Sequence, residues 1–279
     1  RTRQAEDYTT GFYAAESGIE LAKARLSEDT GAADTLKETW RDTRTFASEI
    51  SGWKISVKVT DEESKININK APQNVLKNLF EKGAGLEGDE ASAIADCILD
   101  WIDRDDSLHK DGKESDYYEF LADPYPCKND YFEAPEELML VNGVTRESFD
   151  KIKDIITIYG SGTVNVNTAG AGALIALGLS EEAAAKIISY REGANAKGAG
   201  EVPDNVFTDA SAIAAVLNQD GGLAEGDSGD LARASSMLGV KSDNFRGVIQ
   251  GSWGREGRAQ NITFVYDRVD KLIKYWREE

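Results

Sequence analysis

Apolar residues near the start of the chain recur at alternating spacings of three and four. They are Tyr8, Phe12, Ala15, Ile19, Ala22 and Leu26. This spacing places side chains along one face of an α-helix, so the pattern predicts an amphipathic helix over residues 4–27. Because no clear capping residue precedes it, we interpret the segment as the second half of a longer helix.

Apolar and polar residues alternate strictly towards both ends of the chain. In the first such stretch, Ser51–Thr60, every second residue from Ile55 to Val59 is apolar. A period of two indicates a half-buried β-strand. Similar alternation returns only in Phe245–Trp253, Asn261–Arg268 and Lys271–Trp276.

Between about residues 66 and 235 the pattern is mostly helical. Helices are predicted at Pro72–Phe80, Ala91–Ile102, Pro135–Val141, Glu147–Tyr159, Ala171–Leu177 and Glu181–Glu192. The strands at the two ends can share one sheet if the helical block is an insertion. The sequence therefore predicts an α+β fold with a large inserted α-helical domain, divided into residues 1–65, 66–235 and 236–279.

A short motif in the helical block occurs twice. Ile66–Ala71 reads Ile-Asn-Ile-Asn-Lys-Ala, and Val164–Ala169 reads Val-Asn-Val-Asn-Thr-Ala; a third, related unit is Leu140–Thr145. Both copies precede a short helix with a Leu-x-x-Leu pattern and then an alanine-rich helix. These features predict helix–hairpin–helix-like units. Such units often hold nucleic-acid phosphates at helix N-termini, but the surrounding acidic residues favour a packing role here.

The composition narrows the possible functions. A hydrophobic content of 41% with five Trp and ten Tyr is that of a folded protein, and the net charge is −18. A nucleic-acid-binding protein needs a basic face, so this charge argues against one. No run of about eighteen apolar residues is present in the sequence, so no stretch of it is predicted to span a membrane. Cys97 and Cys127 fit neither a redox motif nor a zinc site, which leaves one disulfide or two buried thiols open.

A dense group of carboxylates directly follows the predicted helix Ala91–Ile102. With Asp103 counted as the first position, the oxygen-bearing positions of an EF-hand calcium loop are filled by Asp103, Asp105, Ser107, Asp111 and Glu114. The sixth position is Leu108, where an EF-hand needs glycine, so the loop is not an EF-hand. Carboxylates this close repel one another, and a divalent cation would relieve the repulsion. Calcium is the candidate cofactor, and a solvated acidic loop is the alternative.

The sequence argues against an enzyme. His109 is the only histidine, which excludes most metallohydrolase arrangements and the usual Ser–His and Cys–His pairs. No glycine-rich phosphate loop follows a predicted strand. The remaining possibility, a hydrolase built on paired carboxylates, would use a loop that looks like a cation site.

Taken in order, several motifs resemble those of the K-type minor pseudopilins of the type II (general) secretion pathway. No single motif is specific, but their combination over nearly the whole chain is. They are Asp61 with Ile66–Asn69, Leu99–Asp105, Gly112–Glu114 with Tyr118, Pro124–Tyr125 with Asn129, Glu137–Thr145, Val164–Ala169, Leu238–Phe245 and Lys274–Arg277. The chain departs from the usual Gly-Ala-Glu of the family, since it has Lys113 between Gly112 and Glu114.

The resemblance implies a fold, a location and partners. It implies a pilin-like N-terminal helix on an antiparallel sheet, with the helical domain inserted between the strands. It also implies a periplasmic domain of an inner-membrane-anchored protein of a Gram-negative bacterium, whose anchor is a preceding N-terminal helix. The expected partners are the I-type and J-type minor pseudopilins at the tip of the pseudopilus, where the subunit caps or initiates the filament. Neither a nucleic acid nor a small-molecule substrate is expected.

The resemblance also implies calcium binding. Its implied ligands are Asp103, Asp105, Asp111 and Glu114, with Asp116 and Asn129 as outer candidates. The nearest alternative function is a minor pilin of a type IV pilus, with the same fold in a different machine. A helix–hairpin–helix nucleic-acid binder is the alternative from another class, and the acidic charge speaks against it.

Overall fold

The computed structural model describes residues 2–41, 48–50, 52–193, 205–219, 222–224, 226–253 and 258–278. The chain divides into two compact units: Arg1–Glu62 with Lys241–Glu279, called here the sheet unit, and Glu63–Val240, called the inserted unit. The predicted boundaries, 65/66 and 235/236, lie within five residues of these divisions.

In chain order the helices and strands are α1 (Thr2–Glu28), β1 (Ser48–Ile50), β2 (Trp53–Asp61), β3 (Ile66–Asn67), α2 (Gln73–Asn78), α3 (Gly88–Ile102), α4 (Ser115–Tyr118), α5 (Arg146–Ile152), β4 (Ile156–Thr157), β5 (Val164–Asn165), α6 (Ala171–Ala176), α7 (Glu181–Glu192), α8 (Ile213–Gln219), α9 (Asp227–Ala234), β6 (Leu238–Gly239), β7 (Asn244–Trp253), β8 (Arg258–Asp267) and β9 (Leu272–Glu278). None of the described helices is both long enough and apolar enough to cross a membrane.

The strands of the sheet unit form one antiparallel sheet in the order β1-β2-β7-β8-β9. Strand β2 pairs with β7 along its whole length, from Trp53 opposite Trp253 to Asp61 opposite Phe245. Segments from the two ends of the chain are therefore neighbours in one sheet, and the inserted unit enters between them in the sequence. The predicted α+β class with an insertion between the strands is confirmed.

Helix α1 covers one face of this sheet with the predicted stripe. Ala15, Ile19, Ala22 and Leu26 are buried against the alternating residues of β2 and its neighbours. The helix lies close to the sheet at Gly11, where a Cβ atom would stand 2.5 Å from the Trp53 ring. Truncating a fully buried leucine of this kind typically costs about 2–5 kcal/mol. The side chain of Tyr8, the first residue of the stripe, lies outside the described part.

The inserted unit contains a structural duplication that matches the sequence repeat. Strand β3 pairs in parallel with β4, and β5 pairs in parallel with β6. The side chain of Asn69 exchanges two hydrogen bonds with the backbone of Phe132, at 2.8 and 3.0 Å. In the second copy Asn167 exchanges the same two bonds with Phe207, both at 2.9 Å. Each repeated asparagine thus satisfies a buried backbone group of a distant loop.

Some predicted helices differ from the structure. The predicted helix Glu147–Tyr159 ends at Ile152, because Ile156 and Thr157 pair with Ile66 and Asn67 as a parallel strand. The segment Pro135–Leu140 is a 3₁₀-helix, and α2 continues as a π-helix over Leu79–Ala84. Glycines with positive φ turn the chain between short helices, as at Gly143 and Gly178. The description of these turns as helix–hairpin–helix-like units stays a prediction.

Candidate metal centre

Helix α3 carries the first acidic residues of the centre at its C-terminal end. The face of the helix that includes Ile98 and Trp101 is buried in the core of the inserted unit, and Asp100 is fully buried with it. The helix ends at Ile102, and Asp103 is its C-cap with extended backbone angles. Carboxylates at this end of a helix face the negative pole of its dipole, and no basic residue stands in the last turn. A positive charge near this end of the helix would therefore be stabilising.

Buried oxygen atoms without a hydrogen-bond partner mark the centre. Among the described residues, these atoms include Asp100 Oδ2, Asp103 Oδ1, both carboxylate oxygens of Glu114 and Asn129 Oδ1. A buried polar group without a partner costs about 1–3 kcal/mol, and more when it is charged. Asp100 and Glu114 are 0% and 6% exposed, so water does not replace the missing partners easily.

Burial and neighbouring carboxylates shift the pKa values of the cluster upwards. Burial, followed by the charges of Asp100 and Asp103, raises the pKa of Glu114 to about 7. Burial together with Asp105 and Asp100 raises the pKa of Asp103. Burial is the larger cause of both pKa shifts, and repulsion between the neighbouring carboxylates adds to it.

The side chain of His109 contacts the cluster and forms a hydrogen bond with Asp100. Its Nδ1 lies 2.5 Å from Asp100 Oδ1, and its backbone N–H donates to the same oxygen at 3.0 Å. This hydrogen bond raises the pKa of His109. The ligand atoms of Asp100, Asp103 and His109 all lie within 4.8 Å of one another. Asp100 Oδ2, on the other side of the carboxylate, has no such partner.

Three of the six residues predicted as ligands have a buried oxygen without a hydrogen-bond partner, and three do not. The three are Asp103, Glu114 and Asn129, and of these Asp103 lies within 4.8 Å of the Asp100 carboxylate. Asp105 is exposed and accepts a hydrogen bond from the Ser107 backbone at 2.9 Å. Asp111 is exposed with Lys110 Nζ at 3.6 Å from its carboxylate, and Asp116 is exposed at the start of α4.

Sequence reasoning did not include Asp100 among the ligands. The count against a calcium-loop template started at Asp103, which excluded residues of the preceding helix. The signal that points to Asp100 is a carboxylate inside the apolar run Ile98–Ile102, on the face of α3 that packs into the core. A charged residue in such a position needs a partner, because burial without one is costly.

The donor set is all oxygen, and it suits calcium in its chemistry. Calcium takes six to eight oxygen ligands in flexible geometry, with water and backbone carbonyls beside carboxylates. Magnesium needs near-ideal octahedral geometry and keeps its water. Zinc prefers nitrogen and sulfur, and the Nδ1 of His109 is already used by Asp100. Asp100 and Asp103, whose carboxylates lie within 4.8 Å of each other, would hold the ion. Glu114 and Asn129 join them as candidates because they carry the other unpaired buried oxygens of this region.

The two cysteines border this centre as free, buried thiols. The Sγ of Cys97 lies 3.6 Å from the carbonyl oxygen of Asp111, and that of Cys127 lies 3.7 Å from the carbonyl oxygen of Asp100. Burial raises the pKa of both thiols. They help to pack the acidic loop and are protonated at neutral pH.

A second group of carboxylates lies in the sheet unit: Asp29, Asp34 and Glu38. Here Arg268 forms two hydrogen bonds with the Asp34 carboxylate, at 2.7 and 2.5 Å, and one with Asp29 at 3.0 Å. The Ser242 backbone N–H also donates to Asp34, at 2.7 Å. Glu38 accepts from the Thr35 backbone N–H at 3.0 Å and from the Trp40 ring N–H. Because every carboxylate of this group accepts hydrogen bonds from the chain, it is a weaker candidate for a metal than the group in the inserted unit.

The fold defines a class of α+β proteins in which a helix lies on an antiparallel sheet that is interrupted in sequence by an inserted helical unit. Residues 56–161 match the first domain of the family described as type II secretion system (T2SS), protein K. Two curated relatives also have that name, and together with this match they confirm the resemblance to the K-type family.

Two curated relatives have the same name. Type II secretion system protein K of Aeromonas hydrophila is 31% identical over 118 residues, which are 41% of this chain and 36% of the relative. That of Pectobacterium carotovorum subsp. carotovorum is 24% identical over 188 residues, which are 56% of this chain and 57% of the relative. The matched segments thus span little more than half of one relative and about a third of the other.

A solved structure resembles the whole chain. It is a chain in the crystal structure of the GspK-GspI-GspJ complex from the type 2 secretion system of enterotoxigenic Escherichia coli. The TM-score is 0.79 at 19% sequence identity, and the match covers 100% of this chain and 99% of that one. At this identity the likeness establishes the fold.

Proposed function

We propose that this protein is a minor pseudopilin of the type II secretion system, a structural subunit without catalytic activity. The observation that carries the proposal is the pairing of β2 with β7 beneath α1, which places an inserted unit inside a pilin-like sheet. The chain in the GspK-GspI-GspJ complex has this fold over its full length. The match of residues 56–161 to protein K adds a family-specific signal in the inserted unit and the strand before it.

The partners in this proposal are the I-type and J-type minor pseudopilins. The complex that contains the structural neighbour is named for these three subunits, which supports the same assembly for this chain. Helix α1 supplies the contact in the proposal, as pilin-like subunits assemble through packed helices. The exposed Tyr13 on α1 is available for such packing, at 63% exposure.

In the assembly, this subunit caps or initiates the pseudopilus. The inserted unit, Glu63–Val240, is the longer of the two units. An insertion of that size would hinder further subunits from stacking on it, so the subunit would occupy the first layer of the filament. The protein would act in the periplasm and be held in the inner membrane by a preceding segment, as pseudopilins are before assembly.

The proposal includes a calcium ion at the candidate metal centre. Asp100, Asp103, Glu114 and Asn129 would supply its protein ligands. The ion would pair with oxygens that have no other partner and would hold the loop that follows α3 against the core. Its role is to stiffen the inserted unit, because a bound ion stabilises the folded state by mass action.

Two alternative functions are less well supported. A type IV pilus minor pilin would share the helix-on-sheet fold, but the family match and the relatives carry the name of type II secretion protein K. A nucleic-acid binder would need a basic face, and the net charge is −18.

Size-exclusion chromatography of the three purified ectodomains tests the partner proposal. This chain, the I-type and the J-type subunit of the same genome are mixed at micromolar concentration, and co-elution in one early peak is expected. Minor pilins of a type IV pilus from the same genome serve as the matched control and should elute separately. Separate elution of all three pseudopilins, or complex formation with the type IV pilins, would contradict the proposal.

A further inference from the structure

The candidate metal centre has a feature that its ligand set does not explain. Asp100 is fully buried, yet its two carboxylate oxygens are in different situations. Its Oδ1 accepts hydrogen bonds from both the ring and the backbone of His109, while its Oδ2 has no partner among the described residues. A carboxylate held on one oxygen only presents the other in a fixed direction.

A tight turn after the acidic run produces this asymmetry. The Gly112 backbone N–H donates to the His109 carbonyl at 3.1 Å, so residues 109–112 form a turn around the Asp100 side chain. His109 lies on the Oδ1 side of the carboxylate. Gly112 lies on the Oδ2 side, where a Cβ atom would clash with that oxygen. The turn therefore contacts both edges of Asp100.

We propose that His109 is a positioning residue for the cation site: it holds Asp100 Oδ1 so that Oδ2 alone points at the ion as a monodentate ligand. The inference rests on the proposed calcium site and adds a residue that does not touch the ion. Hydrogen bonds from outside the ligand shell orient metal-binding carboxylates and histidines in many proteins, and their loss typically weakens metal affinity about 10–100-fold.

His109 is suited to this role and poorly suited to ligate calcium itself. Its nitrogen is a weak ligand for a hard cation, which prefers oxygen. Its side chain is 41% exposed, so it reaches the buried carboxylate from the solvent side. The backbone N–H of the same residue reinforces the contact, and this second bond survives any replacement of the side chain.

Calcium titration of chelator-treated protein at constant pH tests the inference with three variants. His109→Phe keeps a ring of similar size but removes the donor, and we expect affinity to fall by about tenfold or more. His109→Asn keeps a donor near the position of Nδ1 and should restore affinity towards the wild-type value. Leu108→Ala, an exposed neighbour in the same loop, is the matched control and should bind as the wild type does.

Terbium luminescence supplies a readout that loop stability alone would not change. Lifetimes in H₂O and D₂O count the water molecules on terbium bound at the site. With Asp100 no longer held, His109→Phe should show more coordinated water than wild type and His109→Asn.

Two outcomes would overturn the inference, and they are distinguishable. If the wild type binds calcium and His109→Phe binds it equally well, or only melts at a lower temperature, His109 does not position Asp100 for the ion. If the wild type binds no calcium, the proposed site itself is wrong and the inference falls with it.

Discussion

Two groups of carboxylates lie in the described part of the chain, and their charges are balanced in different ways. In the sheet unit, Asp29 and Asp34 are paired with Arg268, whose guanidinium is itself almost buried. In the inserted unit, Asp100 and Glu114 have buried oxygens without a regular hydrogen-bond partner, and only the weak S–H donor of Cys127 lies beside Glu114. The carboxylates of the first group all accept hydrogen bonds from the chain, whereas the second has free oxygens to which the proposed cation would bind.

The comparison teaches that acidic density alone does not identify a cation site. In each unit three acidic or histidine residues have ligand atoms within 4.8 Å of one another: Asp29, Asp34 and Glu38 in the sheet unit, and Asp100, Asp103 and His109 in the inserted unit. What separates them is whether the carboxylate oxygens already accept hydrogen bonds. Four predictions test this distinction, beginning with the largest effect.

Removing the internal cation of the sheet unit should have the largest effect on stability. Arg268→Ala removes the closest cation from the buried Asp34 and leaves it with the Ser242 backbone N–H and with Lys241 Nζ at 4.0 Å. Breaking a buried ion pair in this way costs about 3–5 kcal/mol. The loss should be the same in calcium and in chelator, as measured by urea unfolding. Lys58→Gln, an exposed charge on β2, is the control and should change stability by less than about 0.5 kcal/mol. A small effect of Arg268→Ala would show that Arg268 does not balance the charge of the buried carboxylates in the sheet unit.

Removing calcium should destabilise the wild type by the next largest amount. At a free calcium concentration of 100 times Kd, binding stabilises the folded state by about 2.7 kcal/mol. For a unit of this size, each kcal/mol corresponds to about 2–4 °C in melting temperature. Differential scanning calorimetry with calcium and with a chelator measures the shift. Identical melting temperatures in both conditions would show that the inserted unit is not stabilised by calcium.

The stability change caused by Glu114→Gln should have opposite signs with and without calcium. Without calcium, the amide removes a buried charge that its neighbours repel, so the variant should be more stable than wild type at pH 8, where Glu114 is ionised. With calcium, the variant should be less stable than wild type because a ligand is missing. Melts of both proteins in both conditions give the crossing. A variant that is less stable in both conditions would show that Glu114 has only a structural role.

The smallest effect concerns pH and the third carboxylate of the sheet unit. Burial, together with the charges of Asp29 and Asp34, raises the pKa of Glu38 to about 7, although the Trp40 ring N–H donates to it. A raised folded-state pKa gives stability that is complete below the unfolded pKa, near 4.5, and lost as pH rises to about 7. Wild-type stability in chelator should therefore fall over this window more steeply than that of Glu38→Gln. Equal slopes for the two proteins would contradict the assignment.

Much of the sheet unit could be predicted from the sequence, because its elements carry a period. The stripe of α1 and the alternation of β2, β7 and β8 each extend over several repeats of the pattern. Strands β3 to β6 could not be found in this way, since two residues have no period. Their pairing is non-local. Because Ile156 and Thr157 form a strand that pairs with β3, the helix predicted over Glu147–Tyr159 ends at Ile152.

The candidate site could be predicted only in part. Counting along a loop template from Asp103 led to residues that the structure leaves exposed, such as Asp105 and Asp111. The template assumes that ligands follow one another in a loop, whereas the unpaired oxygens come from the end of α3, from Glu114 and from the distant Asn129. Burial of Asp100 is a tertiary property, and the sequence signals it only as a carboxylate in an apolar run.

Calcium titration by isothermal calorimetry of three chelator-treated proteins, the wild type, Glu114→Gln and Glu38→Gln, tests the central distinction most directly. The account predicts saturable binding by the wild type and by Glu38→Gln, and binding that is lost or strongly weakened in Glu114→Gln. No binding by the wild type, or equal weakening by both substitutions, would contradict it.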